Sequence, residues 1–210
     1  HHPKTSLLCL ENTYNRCSGG VLDVNDILTL ANLAHSHGIA VHIDGARIFN
    51  AAVYLEISPI DLTSSVDTVS FCLSKGLSCP VGSLVCGSEE TITKVRKNRK
   101  ILGGGMRQAG IIAAAGLVAL ETMIDRLKED HERARDLAAG LKDIPGLHID
   151  LDNVWTNIVM IEVLNKPVHE FIRTLRNKGV LASYPGGKWI RMVTHYGVSA
   201  KDIDEALAII

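Results

Sequence analysis

The sequence has few of the features that nucleic-acid binding requires. Aromatic residues make up 4% of the 210 positions, and the formal net charge is -1. Bases need aromatic side chains on which to stack, and the phosphate backbone needs a basic surface. The composition therefore argues against a nucleic-acid partner.

Long apolar runs are also lacking. The best candidate, GIIAAAGLVAL at 110–120, contains two glycines and is soon followed by charged residues. A helix that spans a bilayer needs about 18 or more apolar residues in succession. We therefore predict a soluble protein without a membrane partner.

Cysteine pairs with metal or redox spacing are missing as well. The chain has five cysteines, an odd number, and no two of them stand in a CxxC arrangement. This argues against a disulfide scaffold and against a zinc site. We expect no metal, and a reducing, cytoplasmic location.

What the sequence does contain is an alternation of strand and helix patterns. Apolar runs at 6–12, 39–44 and 67–74 read as strands, and 24–38 has apolar positions at helical spacing before Gly38. Residues 39–43 are apolar almost without interruption, as in a parallel strand that is buried on both faces. The pattern predicts an α/β fold with a mostly parallel sheet.

A change of composition near Glu121 indicates a domain boundary. Before it, a charged helix at 89–100 is broken by Gly103–Gly105, and a long helix begins near Met106. After it, the order strand, strand, helix, strand, strand, helix suits a small α+β domain. We predict a large domain over 1–125 and a small C-terminal domain over 126–210.

Residues whose side chains can bind a ligand or take part in catalysis follow the predicted parallel strands. Glu11 ends the first strand, Asp44 and Arg47 follow the second, and Lys75 follows the third. In open α/β sheets, ligands bind outside the carboxyl ends of the strands, where residues distant in sequence meet. We therefore expect these side chains to form one site.

The residue types fit pyridoxal phosphate. A lysine just past a buried strand would be partly desolvated, which lowers the pKa of its amine and makes it a nucleophile. Asp44 could keep the pyridine nitrogen protonated, so that the ring acts as an electron sink. Arg47 could hydrogen-bond the ring oxygen.

Each residue alone has a simpler interpretation. Asp44 could cap the following helix with Arg47 as its i+3 ion-pair partner, and Lys75 could be a solvated loop lysine. Their occurrence together at successive strand ends favours the cofactor.

Five segments, spread over nearly the whole chain, point to one family of enzymes. They are LLCLENTYN, VHIDGARIFNAAV, CLSKGLSCPVGSLVCG, RKILGGGMRQAGIIAAAGLVAL and IRMVTH. Together they resemble the low-specificity L-threonine aldolases, which are pyridoxal-phosphate enzymes of the aspartate-aminotransferase fold type.

This resemblance implies roles for individual residues. Lys75 would be the Schiff-base lysine, Asp44 the partner of the pyridine nitrogen and Arg47 the partner of the ring oxygen. Arg191 in IRMVTH would bind the substrate carboxylate. Alternation in KWIRMV places Arg191 on the same strand face as Trp189, which is compatible with this role.

The glycine-rich turn offers a phosphate site. KILGGGMRQAG lacks the order of a dinucleotide loop, but Lys100 and Arg107 flank glycines that we expect at a helix N-terminus, where anions bind. The resemblance implies that this lysine and arginine reach the cofactor phosphate from the neighbouring subunit. A homo-oligomer, either a dimer or a tetramer, would follow. The alternative is a solvated helix face.

One departure from the family concerns the substrate hydroxyl. Glu11 and Tyr14 would lie near it, yet the family usually has ENTHN where this chain has ENTYN. The phenol of Tyr14 thus replaces an imidazole that could take part in proton transfer. We place the remaining helical histidines, His131 among them, on the surface.

The expected reaction is cleavage of L-threonine or L-allo-threonine to glycine and acetaldehyde. Other reactions of the same fold type, such as transamination or β-elimination, remain open because one lysine and one aspartate serve them all. Family members carry an upstream segment with a phosphate loop and a ring that stacks on the cofactor, and the chain begins after it. We therefore expect weak activity or none from this chain alone, and a noncatalytic remnant is a further alternative.

Overall fold

The chain forms two units in a computed structural model that describes residues 3–210. Unit 1 contains the residues up to Thr13 together with Leu22–Asp125, and unit 2 contains Tyr14–Val21 together with Arg126–Ile210. The sequence analysis placed residues 14–21 in the first domain, but their contacts assign them to unit 2. The division into a large domain over 1–125 and a small domain over 126–210 stays a prediction.

Unit 1 is built on a four-stranded sheet. Its strands are β1 (Leu7–Glu11), β2 (Ala40–Asp44), β3 (Thr68–Cys72) and β4 (Ser83–Gly87). They lie in the order β1-β2-β3-β4, with β1, β2 and β3 parallel and β4 antiparallel to β3. The predicted α/β class with a mostly parallel sheet is confirmed.

The inner strand β2 is less completely buried than we predicted. Val41 and Ile43 are fully buried, but His42 between them is only partly buried. Its ring lies 2.8 Å from the hydroxyl of Thr68 and 3.4 Å from that of Ser70. One face of β2 is therefore apolar, and the other holds a hydrogen-bonded histidine within the sheet.

Five helices of the described residues belong to unit 1 with this sheet. They are α1 (Val24–Ser36), α2 (Ile48–Leu55), α3 (Pro59–Thr63), α4 (Glu89–Ile101) and α5 (Gly110–Thr122). Asp23 caps α1, and the apolar stripe of this helix consists of the buried residues Ile27, Ala31 and Ala34. Gly38, with φ +66°, allows the chain to turn directly into β2.

The predicted long helix after Met106 is two helices. α5 ends at Thr122, and α6 begins at Leu127 in unit 2, so that the break lies at the change of composition near Glu121. α5 is apolar along nearly its whole length, yet Ile111, Leu117 and Val118 are exposed. Its composition alone therefore does not show which face is covered.

Unit 2 packs helices on an antiparallel sheet. Its strands lie in the order β5-β6-β8-β7. The elements are α6 (Leu127–Leu141), β5 (Leu147–His148), a short 3-10 helix (Leu151–Asn153), β6 (Ile158–Val163), α7 (Val168–Asn177), β7 (Ser183–Gly186), β8 (Trp189–Val193) and α8 (Ala200–Ile209). This is the small α+β arrangement that the sequence predicted, although β7 begins later than the apolar run at 180–183 suggested.

No helix within residues 3–210 combines the length and the apolar character that a bilayer span requires. The same residues contain no cluster of His, Cys, Asp and Glu side chains that could hold a metal ion.

Candidate active site

The carboxyl edge of the parallel strands in unit 1 brings three polar residues together. Glu11, the last residue of β1, pairs with Asp44, the last residue of β2. Asp44 in turn pairs with Ser70 of β3. Side chains directly opposite each other on neighbouring strands are close neighbours, so this edge carries two adjacent carboxylates.

The Asp44 side chain organises the turn that leaves the sheet. It is exposed, and Oδ1 accepts a hydrogen bond of 3.1 Å from the Ala46 N–H. The Gly45 N–H donates to the Ser70 carbonyl at 2.8 Å, and a Cβ added at Gly45 would lie 3.0 Å from that oxygen. Asp44 is therefore held in place by a tight turn that only glycine fits.

The interpretation of Asp44 as a helix cap is wrong. α2 begins at Ile48, its N-cap residue is Arg47, and no side chain caps it. Asp44 precedes this N-cap residue by three positions, and its side chain accepts a hydrogen bond from the Ala46 N–H instead. Oδ2 of Asp44 accepts no hydrogen bond from any of residues 3–210, so it can accept one from a ligand.

Lys75 lies in the loop that joins β3 to β4. The Leu73 N–H donates to the Gly82 carbonyl at 3.0 Å, and the Cys79 N–H donates to the Leu73 carbonyl at 3.0 Å. The buried Cys79 thiol also donates to the Ala115 carbonyl of α5 at 3.4 Å, and burial raises the pKa of that thiol. Hydrogen bonds of Leu73 and Cys79 thus hold the loop on both sides of Lys75.

The Lys75 side chain itself is exposed, which corrects the expected partial burial. Its neighbours Gly76 and Leu77 are the buried residues of this turn. Because the turn directs Leu77 into the interior, the lysine faces outward. Position after a buried strand did not reveal which residue of the loop points inward.

The glycine-rich turn ends α4 and does not begin α5. Gly103 has φ +84°, and the Gly104 N–H donates to the Arg99 carbonyl at 2.8 Å, which closes the helix. The expected position at a helix N-terminus is therefore wrong, since α5 starts only at Gly110.

The two predicted phosphate cations, Lys100 and Arg107, are both exposed. Lys100 is in the last turn of α4, and its side chain lies against Gly105, where an added Cβ would come within 2.6 Å of Cδ. Arg107 follows the same turn. The glycines therefore give the lysine room to lie along the turn.

Arg191 belongs to unit 2, where it lines a cavity of about 470 Å³. It projects from β8 on the face opposite the buried Ile190 and Met192, as the alternation predicted. Met160 and Trp189 supply apolar walls. The cavity thus combines one guanidinium with a partly apolar lining.

Two side chains that the sequence analysis did not single out hold Arg191. Its Nη1 donates to Oδ1 of Asn15 at 2.8 Å, and its Nε donates to Oγ of Ser183 at 3.2 Å. Asn15 is the last residue of the quoted ENTYN segment, but its distance from Arg191 in sequence hid the contact. Strand pairing between β7 and β8 would have been the only signal for Ser183.

The two residues predicted near the substrate hydroxyl fall in different units. Glu11 is partly buried at the end of β1 in unit 1. Tyr14 is 42% exposed and belongs to unit 2, where its N–H donates to the Gly20 carbonyl at 2.8 Å. The chain thus changes unit between these two residues.

His131 is buried, contrary to the expectation of a surface histidine. It is 2% exposed on α6. Burial, with a smaller contribution from the charge of Arg135, lowers the pKa of its imidazole from 6.5 to about 4. The next residue back, Asp130, is fully buried and forms a bidentate ion pair with Arg126, with N–O distances of 2.6 and 3.1 Å.

Comparison with known proteins identifies relatives of the chain. Residues 1–165 match the model of the beta-eliminating lyase family. The chain is 44% identical over 211 residues to an Arabidopsis thaliana protein named "Probable low-specificity L-threonine aldolase 2", and 36% identical over 208 residues to the low specificity L-threonine aldolase of Escherichia coli K12. These alignments cover 99% of this chain but 59% and 60% of the two relatives, so the chain spans about three fifths of their length.

Solved structures show the same fold. The Leishmania major threonine aldolase superposes with a TM-score of 0.76 at 16% identity, covering 97% of this chain and 60% of that one. A PLP-dependent aminotransferase from Streptococcus suis gives a TM-score of 0.74 at 17% identity, covering 100% of this chain and 57% of that one. Both belong to the fold that the sequence predicted.

Proposed function

The chain belongs to the beta-eliminating lyase family, and from this premise we propose that it supplies the catalytic lysine of a pyridoxal-phosphate-dependent aldolase. The substrate would be a β-hydroxy-α-amino acid, L-threonine or L-allo-threonine, and the products glycine and acetaldehyde. Relatives named as low-specificity L-threonine aldolases support this substrate class. The observation that carries the proposal is the exposed, fixed carboxylate of Asp44 at the carboxyl edge of the sheet, with Lys75 on the loop that follows the next strand.

The donor set fits pyridoxal phosphate. A protonated pyridine nitrogen needs a carboxylate acceptor, and Asp44 offers Oδ2 for it. Arg47, at the start of α2 three residues later, offers donors for the ring oxygen. Lys100 and Arg107 provide exposed cations for the phosphate, and across a subunit interface they would require a dimer or larger assembly. When bound, the cofactor supplies an electron sink for the bond that breaks at Cα.

The chain's own residues would bind and orient the amino acid. Lys75 Nζ would be the nucleophilic amine that holds the cofactor. The Arg191 guanidinium would bind the α-carboxylate bidentately, which fixes the rotation about Cα and so selects the bond that breaks. Asp44 would keep its negative charge throughout and hold the proton on the ring nitrogen.

The substrate hydroxyl must lose a proton as the Cα–Cβ bond breaks. Glu11 lies beside Asp44 in register and could accept a hydrogen bond from the hydroxyl. The phenol of Tyr14 would stand where the resembling family has a histidine, so orientation of the hydroxyl would rest on an O–H group. We assign neither residue as the base.

Product analysis tests this function. The chain extended by the upstream segment of its relatives, loaded with pyridoxal phosphate, should release acetaldehyde and glycine from L-threonine. Lys75→Ala should abolish release, whereas Lys142→Ala, which removes an exposed lysine at the end of α6, should not. A keto acid as the product would contradict aldol cleavage and favour transamination.

The length of the chain leads to a separate expectation. Since it spans about three fifths of its relatives, we propose that the 210 residues alone are weakly active or inactive. Catalysis needs reacting groups held from all sides. Full activity from the 210-residue chain would refute this part of the proposal.

A further inference from the structure

The contacts of Arg191 lie within unit 2 and involve two neutral acceptors. Asn15 accepts from Nη1 at 2.8 Å, and Ser183 accepts from Nε at 3.2 Å. Ser183 Oγ also lies 3.2 Å from the Arg191 carbonyl, to which it donates. The guanidinium is therefore fixed at two of its three nitrogens.

The neutrality of these partners distinguishes Arg191 from a structural arginine of the same unit. Arg126 is paired with carboxylates, since its guanidinium lies 2.6 Å from Asp130 and 3.5 Å from Glu129. Arg191 forms no ion pair with any carboxylate among the described residues. Its charge is oriented by hydrogen bonds but is not neutralised, as an anion-binding site requires.

The segment that carries Asn15 is held by hydrogen bonds and close packing. The Gly20 N–H donates to the Cys17 carbonyl at 2.7 Å, and the Thr156 hydroxyl donates to the Gly19 carbonyl at 3.4 Å. A Cβ added at Gly19 would lie 2.6 Å from the Thr156 hydroxyl oxygen. The segment thus packs closely on the rest of unit 2, and these contacts place Asn15 beside Arg191.

We propose that Asn15 is a positioning residue that sets the affinity for the substrate carboxylate by orienting Arg191. This inference rests on the proposed role of Arg191 in carboxylate binding. Asn15 must be an amide, because an aspartate of the same shape would pair with the guanidinium and compete with the substrate. Ser183 supports the same orientation from β7.

A double-mutant cycle tests the proposal in the loaded, extended chain. Asn15→Ala should raise KM for L-threonine about tenfold with kcat changed less than about threefold, because a lost hydrogen bond to a charged group weakens binding. Asn15→Asp should raise KM further, although it keeps the shape. In an Arg191→Ala background, Asn15→Ala should have no additional effect. Asn177→Ala, on the exposed end of α7, is the matched control.

A second readout does not depend on turnover. In the chain with 15N-labelled arginine side chains, titration with L-threonine should shift the Arg191 Nε resonance, and Asn15→Ala should move the midpoint to higher concentration by about tenfold. Absence of turnover with a normal titration would refute the proposed function but not the role of Asn15. An equal rise in KM in both backgrounds, or a wild-type Arg191 resonance that does not respond, would overturn the role of Asn15.

Discussion

At the scale of single residues, the proposed cofactor site depends on one carboxylate that its own turn holds in place. Asp44 uses one oxygen to hold its turn and offers the other at the edge of the sheet. The neighbouring Gly45 makes the turn possible, because a side chain there would meet the Ser70 carbonyl. The turn thus holds the Asp44 side chain through Oδ1 and leaves Oδ2 available to a ligand.

Asp44→Asn removes the negative charge of the side chain but keeps the oxygen that forms the turn. Asparagine forms the same turn, so we expect little change in the free energy of unfolding. Turnover in the loaded, extended chain should fall about 10²- to 10³-fold, since a neutral amide cannot stabilise the protonated ring. Steady-state kinetics measure this, with Asp204→Asn on the exposed face of α8 as the control. Unchanged kcat in Asp44→Asn would contradict the role of the carboxylate.

His131 predicts how stability depends on pH. The folded state lowers its pKa from 6.5 to about 4, so between these values the unfolded chain binds more protons than the folded chain. This contribution, on the order of 3 kcal/mol, is complete above pH 6.5 and is lost as the pH falls toward about 4. Urea unfolding across this range should show the loss.

The control for this prediction removes the titrating group. His131→Leu should reduce the steepness of the pH dependence, even though the substitution itself changes stability. His148→Gln, at an exposed histidine, should leave the steepness as it is in the wild-type chain. An equally steep dependence in His131→Leu would assign the effect to other groups.

At the scale of elements, the first turn of α6 is held by a buried ion pair. Asp130 is fully buried, and the Arg126 side chain is 11% exposed. The Thr194 hydroxyl donates to the Asp130 carbonyl at 2.6 Å, which ties α6 to the end of β8. Arg126 also lies over the Tyr196 ring, 5.1 Å from its centroid. The ion pair raises the pKa of Arg126, so the guanidinium stays charged.

Asp130→Asn should therefore destabilise the chain strongly. The substitution leaves a nearly buried guanidinium without its main counter-charge, at a cost of about 3–5 kcal/mol. Glu129→Gln changes a half-exposed carboxylate on the same helix and should cost less than about 1 kcal/mol. Denaturant unfolding of the two variants compares them directly. If the two variants lost similar amounts of unfolding free energy, burial of the Arg126–Asp130 pair would not be the cause of its contribution to stability.

The sequence predicted most elements because their signals are local. The capping residue Asp23 and the stripe that begins with Ile27 define α1 without help from the rest of the chain. It missed α3, which has only five residues, and it merged α5 with α6, because the break at residues 123–126 contains no proline or glycine. Features that depend on packing between residues distant in sequence leave no local pattern, so the sequence alone did not predict them.

The residues of the candidate site also differ in whether a local sequence pattern could suggest them. Asp44, Arg47 and Lys75 could be proposed from the sequence because each follows a strand with a recognisable pattern within a few residues; their roles stay a prediction. Asn15 could not, since its contact with Arg191 joins residues 176 positions apart. The burial of His131 was equally hidden, because no pattern on α6 shows which face the rest of unit 2 covers.

At the scale of the whole molecule, the chain is a partial match to longer proteins. It aligns over nearly its full length with relatives of which it spans about three fifths. Large apolar side chains on α5 are exposed, and so is every residue of β4. The chain therefore has the family and the fold of these relatives, and the residues that we propose for cofactor binding, although the relatives exceed it in length.

The central claim is that Lys75 is the residue that holds pyridoxal phosphate. Borohydride reduction of the chain after incubation with the cofactor, followed by mass spectrometry of its peptides, tests this directly, because reduction makes the bond to the lysine permanent. We predict that the label is found on the peptide containing Lys75 and is lost in Lys75→Ala. Label on other lysines at the same level in the wild-type chain and in Lys75→Ala would contradict the account.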